Sequence, residues 1–66
     1  TRAAEEVYLG LRTVEGLPLR AGEVRITAPW IGAGWATLHD GVLRLTPTGW
    51  LRLDSLAAAL TVARSR

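Results

Sequence analysis

The reading of this chain turns on one stretch, Trp35-Ala36-Thr37-Leu38-His39-Asp40-Gly41-Val42-Leu43-Arg44-Leu45-Thr46-Pro47. Two β-prone apolar runs, 35–38 and 42–45, flank His39-Asp40-Gly41. Asp-Gly between such runs signals a tight hairpin, because glycine takes a positive φ at no steric cost. Thr46-Pro47 then offers a hydroxyl cap followed by proline at the first helical position, the usual opening of a helix. A short two-stranded hairpin running directly into a helix is the frame around which the rest is placed.

Downstream, Leu53, Leu56 and Leu60 share one helical arc, with Trp50 and Ala57 at its border. Ala57-Ala58-Ala59 adds strong helix propensity. The favoured reading is one helix from about Pro47 to Ala63, closing in a polar tail. The competing reading makes 46–49 a turn and 50–53 a strand, with Asp54 capping a shorter helix.

Upstream, Ala4, Val7, Leu11 and Val14 lie on one arc with Tyr8 at its edge, so the spacing predicts a helix from Ala3 to about Glu15. Glu5 and Glu6 complement the dipole of its first turn, and Thr1 is a candidate cap. Gly16 and Pro18 form a helix stop. Gly10, costly inside a helix, is expected where another element comes close. Between 17 and 34, Gly22, Pro29, Gly32 and Gly34 interrupt the apolar pattern, and one or two short helical turns are predicted, at about 22–27 and 29–33. Helix, broken helical segment, hairpin and helix make a single α+β, mainly α domain over 1–66, in the order of an abbreviated winged helix.

Composition narrows the chemistry. A 66-residue chain buries only about 60% of the surface that its unfolded form exposes. With no cysteine it offers no disulfide, thiolate metal site, iron–sulfur ligand or cysteine nucleophile. No stretch approaches the roughly 18 apolar residues of a membrane span. Net charge is +2, and the eight bases, all arginine, are spread along the chain rather than clustered as a nucleic-acid face requires. Only Arg64 and Arg66 crowd together, at an end expected to fray. The absence of methionine, even at position 1, points to a piece of a longer protein, a processed amino terminus at Thr1 being the other reading.

The chemistry-bearing residues are sparse. His39 and Asp40 could begin a metal or acid–base site, but no second histidine exists to complete one, and at a hairpin tip both serve the turn. Glu5, Glu6, Arg12 and Glu15 form a charged face for solvent or interdomain ion pairs. Three tryptophans without interleaved bases suit packing better than base stacking, and any exposed one is expected to be Trp30 or Trp35. Neither the hydroxyl residues nor Gly32-Ala33-Gly34 has the company that a nucleophile or phosphate loop needs.

Glu5-Glu6-Val7-Tyr8-Leu9-Gly10-Leu11-Arg12-Thr13-Val14-Glu15-Gly16 resembles the helix that opens the C-terminal domain of oxygen-independent coproporphyrinogen III oxidase-like proteins. Gly34-Trp35, Leu43-Arg44-Leu45-Thr46-Pro47-Thr48-Gly49 and Trp50-Leu51-Arg52-Leu53-Asp54 are similar to that domain's ending. The short glycine- and proline-rich middle, 17–33, departs from the family. The resemblance implies a parent with an N-terminal radical-SAM barrel, whose cysteine loop holds a 4Fe-4S cluster and cleaves S-adenosylmethionine. One branch decarboxylates coproporphyrinogen III; the other, a heme-chaperone branch to which the Leu9–Thr13 segment looks closer, binds heme.

On this resemblance the chain is an accessory, non-catalytic C-terminal domain of a cytoplasmic protein. It carries no cofactor or metal ligand of its own and packs on the upstream barrel. Val7, Leu11, Arg12, Trp30 and Trp35 are the expected interdomain contacts. The alternative is a free-standing winged-helix DNA-binding module, although Glu23, Gly22, Pro29 and much apolar surface accompany Arg20 and Arg25 in the segment that would enter the groove. A protein-interaction domain is the third class, with at least one apolar cluster exposed or engaged in self-association.

Overall fold

A computed structural model describes residues 2–65. The elements are α1 (Arg2–Arg12), β1 (Leu17–Pro18), α2 (Glu23–Gly32), β2 (Ala36–His39), β3 (Val42–Leu45), α3 (Pro47–Trp50) and α4 (Leu53–Arg64). This is the mainly helical α+β domain that the sequence predicts, with the antiparallel strand order β1-β3-β2. The candidate cap Thr1, and Arg66, lie outside the described residues.

The hairpin forms where predicted. Ala36 pairs with Leu45 and His39 with Val42, joined by Asp40 and Gly41 at φ 53° and 77°. Two successive positive φ values make the turn whose twist matches the strands. A third strand joins it, with Leu17 opposite Leu43 and Pro18 opposite Val42. Two residues carry no periodicity, and proline, lacking a donor, suits only such an edge.

Three boundaries differ from the sequence reading. The first helix ends at Arg12 rather than Glu15, because the Thr13 hydroxyl donates to the Gly10 carbonyl (2.9 Å) and the Gly16 N–H closes back onto Thr13 O (3.2 Å). Val14 therefore leaves the apolar arc and stands exposed. The middle segment is one continuous helix rather than one or two short turns broken before Pro29: α2 runs through that proline. Proline removes only the bond to the Arg25 carbonyl, on the side where Arg25, Ala28 and Pro29 face solvent and water can replace it. The start of α2 is held by a return contact, the Arg20 N–H donating to Glu23 Oε1 at 2.7 Å.

The long C-terminal helix is instead two. Thr46 caps α3 as predicted, accepting from the Gly49 N–H at 3.1 Å while donating to the Gly34 carbonyl at 2.6 Å. A β-carbon at Gly49 would run into the Trp35 carbonyl, so glycine is required there. After Trp50 the backbone tightens, with Leu51 and Arg52 bonding three residues back, and Arg52 (φ −117°, ψ 16°) reorients the chain into α4. The competing reading had the second helix starting near the right place, but 50–53 is not strand.

The core is a single cluster in which α1 gives Val7 and Leu11, β1 Leu17, α2 Trp30, the hairpin Ala36 and Leu43, and α4 Leu56, Ala57 and Leu60. Gly10 performs its predicted service: a β-carbon there would lie 2.6 Å from Leu17 Cδ1.

Candidate functional site

Of the five expected contact residues, Val7, Leu11 and Trp30 are buried in the core. Trp30 is inside because α2 continues through Pro29, which keeps Glu23, Thr27 and Trp30 on one buried face. Trp35 is half-buried, with the Arg52 guanidinium 4.4 Å from its ring centre. Arg12 is exposed and stands over the Tyr8 ring at 5.4 Å. The exposed tryptophan is neither Trp30 nor Trp35 but Trp50, 41% accessible, beside Leu51 at 88%. The break after α3 causes this, since a continuous helix would have carried Trp50 toward the core arc. At the hairpin tip His39 and Asp40 are exposed and lie 3.4 Å apart.

The polar feature that sequence reasoning misplaced is Arg64. Its side chain is 1% exposed rather than frayed. The guanidinium grips both Glu23 oxygens, Nε to Oε2 at 2.8 Å and Nη2 to Oε1 at 3.0 Å, and also donates to Glu6 Oε1 and the Pro18 carbonyl. Such a forked pair is geometrically selective for arginine. The hydrogen bonds from Arg64 hold the Glu23 carboxyl below its ordinary pKa despite the opposing effect of burial, and the same bonds raise that of Arg64. The cluster ties the end of α4 to the starts of α1 and α2, so α1 and α4 run antiparallel. Its partners are satisfied, which marks it as a clasp of the fold.

An open concave surface lies on the outer side of that helix pair. Ala4, Tyr8 and Leu9 of α1 and Ala57, Ala58 and Val62 of α4 line an open, apolar groove of about 670 Å³. Leu9 and Val62 are 58% and 55% exposed. The small alanines form its floor, and Glu5, Asp54 and Thr61 also line it. Sequence reading passed over this surface because it followed the buried arc. The available signal was an apolar residue on the wrong side of an amphipathic helix: Leu9 stands about 200° from Val7, and Val62 about 240° from Leu56, at 100° per residue.

Among the described residues no group of three or more histidine, cysteine, aspartate or glutamate side chains is placed to hold a metal ion. No helix among them is long and apolar enough to cross a membrane. Compared with protein-family models, curated proteins and solved structures, the chain finds no match.

Proposed function

We propose that this chain is an accessory docking domain, not catalytic alone, that packs on a radical-SAM barrel upstream in the same protein. The observation that carries docking is the open α1–α4 groove, where Leu9 and Val62 leave apolar surface bare on a domain that has already closed its core. The choice of barrel rests on the two sequence motifs, which resemble the C-terminal domain of the coproporphyrinogen III oxidase-like family. Cluster ligation and S-adenosylmethionine cleavage then belong to the barrel, since the chain contains no cysteine to bind iron. Whether the parent acts on coproporphyrinogen or carries heme, a cytoplasmic setting follows from the same reading. The test is the reading frame upstream of Thr1: a C-x-x-x-C-x-x-C loop is expected there, and a frame that starts at or just before Thr1 overturns the proposal.

The strand order β1-β3-β2, with α2 leading into the hairpin, favours a second reading as a DNA-binding winged helix. The exposed residues of α2 weigh against it, because Val24, Ile26 and Ile31 accompany a single base, Arg25. Phosphate-driven binding weakens steeply with salt. Absence of duplex binding at about 50 mM salt, where such binding is strong, removes this reading.

A further inference from the structure

We infer that the α1–α4 groove receives an amphipathic helix whose apolar face is flanked by lysine or arginine. This rests on the docking reading above and names the chemistry of the docked segment. The floor suits a helix: Ala4, Ala57 and Ala58 put little side chain between the two backbones and an incoming cylinder, while Tyr8, Leu9 and Val62 form apolar walls. An amphipathic helix laid in such a groove buries its apolar face as a core helix does.

Charge selects the partner. Among the described residues the carboxylates of the lining are Glu5 and Asp54, and neither has an ion-pair partner there. The antiparallel pairing sets them toward opposite ends, Glu5 near the start of α1 and Asp54 near the start of α4. Both occupy first helical turns, where the dipole favours an acid without any cation. Among the described residues the groove is thus an apolar strip with a carboxylate toward each end and no base in its lining, the adjacent Arg12 being held over the outer wall at the Tyr8 ring. A second copy is a poor occupant: joined face to face, the two grooves would gather four carboxylates around one apolar contact. A helix with basic flanks meets both carboxylates and both walls.

The experiment uses two synthetic helical peptides with the same leucine/alanine face, one flanked by lysine and the other by glutamate. Their binding to the chain is measured by fluorescence anisotropy at low salt. The unaltered chain is expected to favour the lysine peptide by about tenfold, and the Glu5→Lys/Asp54→Lys variant to invert that preference. Leu9→Ser/Val62→Ser should weaken the lysine peptide by about tenfold with an unchanged melting curve. Equal binding of the two peptides, a preference that survives the charge reversal, or a dimer that Leu9→Ser dissolves would each overturn the inference. The outcomes also separate it from the family reading. Loss of charge preference beside an upstream barrel defeats the groove chemistry alone, whereas charge inversion with no upstream barrel defeats the family assignment alone.

Discussion

The inner and outer sides of the α1–α4 pair are built from similar residues and end in opposite states. Inside, Val7, Leu11, Leu56 and Leu60 are sealed against the sheet and α2. Outside, Leu9, Ala58 and Val62 belong to the same two helices and remain exposed. Hydrophobicity alone does not separate the sides. What does is whether a third layer covers them: the inner side meets Leu17, Trp30 and Leu43, while Leu9, Ala58 and Val62 stay exposed. The inner side specifies the fold, and the outer side is where an interaction can be added at little cost to it.

The comparison breaks most readily at the clasp that closes the inner side. Arg64→Met should cost about 3–5 kcal/mol, because the Glu23 carboxylate stays buried without its cation. Urea denaturation checks this, and a loss below about 1 kcal/mol, as for a surface pair, would deny that the clasp is a buried interaction. Leu60→Ala should follow at about 2–5 kcal/mol, since a fully buried side chain in a small core leaves a cavity that cannot collapse.

Glu23 gives the pH arm of the comparison. Its folded pKa is depressed, chiefly by Arg64, below the ordinary value of 4.5. Its contribution is therefore complete above about pH 4.5 and is lost as pH falls through the folded value. Melting temperatures measured from neutral pH downward should drop in that acid window, and the drop should be shallower in Glu23→Gln. An identical acid profile in the variant would place the acid sensitivity elsewhere.

Much of this division was legible beforehand. Asp40-Gly41 announced the hairpin through its demand for positive φ, Thr46-Pro47 announced α3 through its cap, and the Leu53/Leu56/Leu60 spacing announced α4. The clasp was not legible, because Arg64 meets Glu23 across 41 residues of chain and nothing local reports that pairing. The strand Leu17–Pro18 was too short to have a period. The groove was hidden for a different reason: amphipathic analysis finds the side that is buried, and Leu9 and Val62 lie off it. Val7, Leu11 and Trp30 were offered as contacts for the same reason, being the strongest apolar positions and hence the ones that the fold itself consumes.

The smallest expected effect belongs to the outer side. Leu9→Ser and Val62→Ser should each change stability by no more than about 0.5 kcal/mol, measured by the same urea titration as Leu60→Ala. A cost above about 2 kcal/mol at either position would erase the distinction between the two sides.

The most direct test of docking uses the absence of cysteine from this chain. A thiol introduced by Leu9→Cys can be followed by peptide-resolved alkylation, first in the 66-residue chain and then in a protein that joins this chain to the barrel proposed above. The groove as a docking face predicts rapid labelling in the chain and labelling slowed by about tenfold or more where the barrel covers it. Equal labelling in both would contradict the account.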